Sequence, residues 1–258
     1  MVRESIKSDK AIATIRRAGK ILADVHTLLG TLIGPGVTGL ELDTLAETFI
    51  RDHGAEPAFK GFDHFPATIC FSVNEGMVHG LPSDRVIQPG DVVKLDVGVR
   101  LNGWNTDAAR THLVAPVDPA NQQLLNVTRA ALAAGVAQVR DGVPLGTVQA
   151  AIQQVIDDAH LGLVRQLTGH GIGRSVHEPP SIPNFGRAGE GNQLRTGMVI
   201  CLEPMVTRGN GKVEISPDGW TYQSVDGTVT AHEEDTLVVT ATGAEILTRN
   251  PSTTVDRP

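Results

Sequence analysis

The alternation of apolar and polar positions divides the chain into helical and extended stretches. Ile12, Ile15, Leu22, Val25, Leu29 and Leu32 recur at helical spacing. Ser8 stands where a cap belongs and Gly34-Pro35-Gly36 ends the run, so a first helix is predicted between them. Thr38 with Glu41 has the form of a capping box and opens a second helix that stops near Gly54. An extended run over 67–73 follows. Two further strands, 92–100 and 105–114, flank Asn102-Gly103, a strong two-residue hairpin signal. Asp118-Pro119 starts a third helix toward Arg140, and Pro144 starts a fourth toward His160. Strands return near 198–203, 220–225 and 234–240.

The pattern repeats. Gly90-Asp91-Val92-Val93-Lys94-Leu95-Asp96 and Gly197-Met198-Val199-Ile200-Cys201-Leu202-Glu203 lie 107 residues apart, and each ends an apolar strand in an acid. Gly36-Val37 and Gly142-Val143 are offset by 106, and the helix positions after them keep that offset: Leu42 with Val148, Ala46 with Ile152, Phe49 with Val155, Ile50 with Ile156. A repeat this long is no solenoid unit. It predicts one domain over 1–258 with two similar halves, about 8–117 and 118–248, a frayed tail at 249–258 and a site at the pseudo-twofold. The fold class is α+β, helices on a largely antiparallel sheet.

Composition narrows the function classes. The 258 residues allow a sizeable core. A formal net charge of -7 argues against a general grip on nucleic acid. Two cysteines, Cys70 and Cys201, cannot form a zinc–thiolate cage and are expected to be reduced. The charged first residues do not read as a signal peptide, and no window has the apolar length of a membrane span. The expectation is a cytoplasmic protein.

The two strand-ending acids carry the chemistry. If Asn102-Gly103 is the turn, Asp107 faces Gly98, and Asp96 shares that face, so the two aspartates are diagonal neighbours within about 7–8 Å. Val93, Leu95, Val97 and Val99 point the other way, toward the helices. Carboxylates closing on one face repel unless a cation lies between them; on the hairpin alone, solvated aspartates remain the alternative. His170 lies in the glycine-rich Gly169-His170-Gly171-Ile172-Gly173, read as a turn, and His177 follows. Glu203 ends its strand before Pro204, and Glu234 enters another. One nitrogen with several carboxylate oxygens suits Mn, Fe, Co or Zn. His26, His53, His64, His112, His160 and His232 read as ordinary surface or core residues. The glycine-rich segment lacks the lysine and preceding strand of a phosphate loop.

The set Asp96, Asp107, His170, Glu203 and Glu234 strongly resembles the dimetal centre of the type I methionine aminopeptidases, which have the pita-bread fold. Local strings agree: Ser72-Val73-Asn74-Glu75 before His79-Gly80, Lys94-Leu95-Asp96-Val97, Thr106-Asp107, His177-Glu178, Glu203-Pro204-Met205, and Glu234 two before Thr236. The resemblance runs from about Ile6 to Leu247. It implies removal of the initiator methionine from nascent chains with a small second residue. It implies two divalent ions, with Asp107 and Glu234 bridging, Asp96 on one ion, and His170 and Glu203 on the other. A water acidified by the ions would be the nucleophile and Glu203 its proton acceptor. His177 would stabilise the oxyanion and His79 would contact the substrate backbone. Activity is expected to fall in acid as His170 protonates.

The resemblance also implies an apolar methionine pocket of Phe59, Phe62, Phe65, Cys70, Val176 and Trp220. Phe62 and Phe65 stand where tyrosines are frequent in the family, Phe59 where a smaller residue is common, and Val176 where an aromatic often precedes the second histidine. Trp220 reads equally as plain core. A monomer is implied; ribosome contact fits the family, but no basic tail supports it. Three other readings compete. Proline-specific peptidases of this fold usually carry an extra N-terminal domain, and a helix near residue 8 leaves no room for one. Type II methionine aminopeptidases need an insertion that the 25 residues between His177 and Glu203 cannot hold. A metal-free binding homologue would have lost ligands, and all five are present.

Overall fold

The structure, a computed structural model, describes residues 6–250. Four long helices form where the caps and apolar stripes place them. α1 spans Asp9–Leu32, with the Ser8 hydroxyl accepting from the Ala11 N–H, and α2 spans Gly39–Asp52 behind the Thr38–Glu41 capping box. α3 spans Pro119–Gln138, capped by Asp118, and α4 spans Leu145–Asp158, with Pro144 at its N-cap.

The hairpin follows the predicted parity. Strands Val92–Leu101 and Trp104–Leu113 pair antiparallel, with Gly98 opposite Asp107 and Asp96 opposite Ala109. Ile69–Val73 also pairs with Val92–Leu101. Val93, Leu95, Val97 and Val99 are fully buried against Leu22, Val25 and Leu29 of α1 and Leu42, Ala46 and Ile50 of α2. A second core packs Leu124 and Leu132 of α3 and Val148, Ile152 and Ile156 of α4 against Ile200, Leu202, Leu237 and Val239. Those four residues come from Val199–Leu202 and Asp235–Val239, neighbours in an antiparallel five-stranded sheet.

Three expectations are corrected. The segment around His170 is a strand, Thr168–Gly171, paired with Val199–Leu202 on one side and Glu178–Pro183 on the other. Its glycines serve close strand packing: a Cβ on Gly169 would meet the Cys201 carbonyl at 2.5 Å, and one on Gly171 would strike the Pro179 carbonyl. Leu32, the last residue of the first stripe, is exposed. The expected fraying does not begin at Thr248 or 249: Thr248 is buried and donates to Asp235, Arg249 pairs with Asp235 at 2.6 Å, and Asn250 donates to Asp24. Residues 251–258 of that tail lie outside the described residues.

A seam of hydrogen bonds joins the hairpin to the second sheet. The Thr236 hydroxyl accepts from the Asp107 N–H at 3.0 Å and donates to its carbonyl at 2.7 Å. The Glu234 N–H donates to the Ala109 carbonyl at 3.0 Å. Arg110 reaches the Glu234 carbonyl, Asp235 and the Thr248 carbonyl. Register across this seam therefore depends on the hairpin staying flat on its helices. Leu95→Ala, which empties the centre of that contact, should cost about 2–5 kcal/mol in denaturant unfolding.

Candidate metal centre

Five side chains from separate strands converge at the seam. Asp96 and Asp107 share the hairpin face that turns away from α1 and α2, as their register requires. Glu203 follows Val199–Leu202, and Glu234 precedes Asp235–Val239 with Asp235 opposite Leu202, so their carboxylates arrive together. His170 lies opposite Cys201 on the neighbouring strand. The His170 Nε2 stands 3.4 Å from Glu203 Oε1, 3.9 Å from Asp107 Oδ2 and 4.0 Å from Glu234 Oε1. Donor atoms of Asp96, Asp107 and Glu234 lie within 4.8 Å of one another. The Nδ1 of His170 donates to the Gly171 carbonyl at 3.0 Å, which presents Nε2 as a lone pair toward the acids.

Charge at this place is unbalanced. Burial pushes the Asp107, Glu203 and Glu234 carboxyls well above the usual carboxylate range, and their mutual repulsion, with that of Asp96, adds to it. Asp96 is raised for the same first reason. Burial, with His177 nearby, lowers His170 to about 3. Burial thus favours the neutral form of the imidazole and of the acids alike. Asp96 Oδ1, Asp107 Oδ1 and Glu234 Oε1 are buried without a hydrogen-bond partner among the described residues. Orphaned anionic oxygens beside a fixed imidazole lone pair fit divalent cations. Cys201 also reaches this cluster. Burial raises its thiol well above the usual range, and its Sγ lies 3.4 Å from the Thr236 hydroxyl.

The acids form the floor of a cavity of about 750 Å³. Phe59, Phe65, Cys70 and Val176 are buried in one apolar cluster on its wall, with Phe62 and Trp220 packed against them. Trp220 is therefore a wall residue, its ring edge-on to Phe65 at 5.2 Å. Gly98, between the two aspartates in hairpin register, leaves room for Phe59: a Cβ there would lie 2.6 Å from the Phe59 ring. His79 and His177 both line the cavity. The His177 ring stands at the exposed rim, 4.4 Å from the His170 ring and edge-on to Phe62 at 5.4 Å. Burial lowers His79 to about 4, which keeps it neutral.

Of the histidines set aside as ordinary, His26 is buried and bonds the Ala108 carbonyl, His112 is half-buried, and His53, His64 and His160 are exposed. His232 departs from that reading. It is buried, lines the cavity and points Nε2 at Glu203. Its position two residues before Glu234 was the available signal.

Comparison with known proteins agrees with this geometry. The model of Metallopeptidase family M24 matches residues 13–241. A methionine aminopeptidase of Clostridium perfringens is 42% identical over 243 residues, which are 94% of this chain and 98% of that relative. Methionine aminopeptidase 1 of Bacillus subtilis is 41% identical with the same coverage. The crystal structure of methionine aminopeptidase from Thermotoga maritima has a TM-score of 0.94 at 39% identity, over 97% of this chain and 100% of that one. Prolidase from Pyrococcus furiosus shares the fold alone, with a TM-score of 0.79 at 24% identity over 96% of this chain and 66% of that one. The architecture is the pita-bread fold. With its acids and imidazole gathered on one cavity floor, the chain belongs to metallopeptidase family M24.

Proposed function

We propose that this chain is a methionine aminopeptidase that removes the initiator methionine from nascent chains with a small second residue. The observation that carries this reading is one cavity with two unlike surfaces. Its floor is a nitrogen-and-oxygen donor set, and its wall is an apolar aromatic cluster sized for a flexible thioether. The methionine side chain lies against Phe59, Phe62, Phe65, Cys70, Val176 and Trp220. Phenylalanine at 59, 62 and 65 brings no hydroxyl to that wall, which suits methionine.

Asp96, Asp107, His170, Glu203 and Glu234 hold two divalent ions, of Co, Mn, Fe or Zn. When bound, such ions would supply an acidified water at neutral pH and a Lewis acid for the scissile carbonyl. Glu203 accepts the proton of the attacking water, since its carboxylate lies at the floor beside His170. His177, at the rim, donates to the developing oxyanion. His79, held neutral by burial, contacts the substrate backbone and moves a proton toward the leaving amine. Buried free cysteines fit a reducing cytoplasm, and no described helix is long and apolar enough to cross a membrane. The enzyme acts there as a monomer.

Met-Ala-Ser should be cleaved after methionine and Met-Lys-Ser should not. Equal cleavage of both, or a preference for an X-Pro peptide, would overturn the substrate reading. Asp107→Asn and Glu234→Gln should each lower kcat/KM by more than about 100-fold with an unchanged far-ultraviolet circular dichroism spectrum. Near-normal turnover in either would sink the ligand assignment.

The raised carboxyls give a pH prediction. A group whose folded pKa is raised keeps its proton as the pH climbs past its ordinary value, and a cation must expel that proton to bind. Titrating metal-free protein with Mn²⁺ at pH 7 in two buffers of different ionisation enthalpy should therefore show net proton release. Release should shrink as the pH rises. Buffer-independent heats would mean that the carboxylates are already ionised.

A further inference from the structure

His232 lines the cavity beside the acids, and the ligand set leaves it unused. Its backbone is fixed: the residue pairs with Met205, its N–H donates to the Thr111 hydroxyl at 3.0 Å, and that hydroxyl donates to its carbonyl at 2.7 Å. The main chain is therefore held at the seam, and the ring is buried beside the acids. Its Nε2 stands 3.5 Å from Glu203 Oε2 and 3.9 Å from Glu234 Oε2. His170 faces the other oxygen of each acid, at 3.4 Å from Glu203 Oε1 and 4.0 Å from Glu234 Oε1. The two glutamates thus lie between two imidazoles, one to each side. Both ring nitrogens of His232 are buried without a hydrogen-bond partner among the described residues.

We infer that His232 is a positioning residue, donating from Nε2–H to Glu203 Oε2 and so leaving Glu203 Oε1 on the His170 side for metal and proton transfer. The tautomer follows from satisfaction. A buried N–H without an acceptor is rarer and costlier than a buried lone pair without a donor, so the proton belongs on the nitrogen that faces carboxylate oxygens. The 3.5 Å separation lies just beyond hydrogen-bonding distance, and such contacts tighten in the working complex. A carboxylate held at one oxygen loses the freedom to turn both toward the ion, which keeps the other aimed.

The inference rests on the methionine aminopeptidase reading for its kinetic readout, but not for its metal readout. The experiment compares wild type, H232L and H232Q by Mn²⁺ titration calorimetry of the metal-free proteins and by kcat and KM on Met-Ala-Ser. H232L should bind Mn²⁺ about 10–100-fold more weakly and lose a similar factor in kcat, with KM nearly unchanged. H232Q, whose amide N–H reaches the same oxygen, should stay within about threefold of wild type in both. Wild-type values in H232L would overturn the inference. Equal impairment in H232Q would also overturn it, and loss of one bound ion there would make the imidazole a metal ligand instead. If H232L does not fold, H232N supplies the contrast, because its shorter amide falls short of Glu203. Failure of wild type on Met-Ala-Ser would count against the substrate reading alone, with the Mn²⁺ affinities still deciding the role of His232.

Discussion

Four carboxylates sit within one buried cluster, and the rest of the structure is arranged around keeping them there. Moving even one ionised carboxylate from water into a low-dielectric interior is costly, and like charges at this separation add to the cost. The chain meets that demand by rigidity. Asp96 and Asp107 are fixed by hairpin register, Glu203 and Glu234 by the ends of adjacent strands, and Thr236 and Arg110 tie the two sets together. All four acids stay buried at the cavity floor. The fold thus holds a concentrated negative charge whose natural complement is a divalent cation.

Two separate cores make that rigidity affordable in a chain of this size. α1 and α2 back the hairpin, and α3 and α4 back the second sheet, each with a fully buried aliphatic layer. The acids lie between those layers, so neither core has to contain them. The aromatic wall is a third, smaller cluster beside the metal floor. Gly98 couples the two, because only a residue without a side chain lets Phe59 close over the strand that carries Asp96.

Much of this was legible in the residues. Alternation with a period of two on 92–101 and 104–113, plus an Asn-Gly turn, gives one register, and that register alone puts Asp96 and Asp107 on the face opposite Leu95. Caps and stripes gave the four helices within a few residues. The paired helix positions Leu42 and Val148, Ala46 and Ile152, and Ile50 and Ile156 are each buried in their own core. Less legible was anything set by contacts between distant strands. Gly169-His170-Gly171 reads as a turn because glycine favours turns, yet here the glycines admit neighbouring backbones on both sides. Thr248 looked like the start of a loose tail because its partners, Asp235 and Arg110, lie elsewhere in the chain.

His232 shows the boundary most clearly. Periodicity determined which elements form and which face each acid takes, because those are local consequences of backbone geometry. It could not rank nine histidines, since an imidazole acquires its role from what lies across from it. Only the packing of the hairpin against the second sheet put His170 on one side of Glu203 and His232 on the other, and only that packing excluded water enough to shift every titrating group on the floor. The sequence by itself determined the elements, their register and the donor types. The tertiary structure decided which donors share a space, because distance and desolvation are properties of the folded chain.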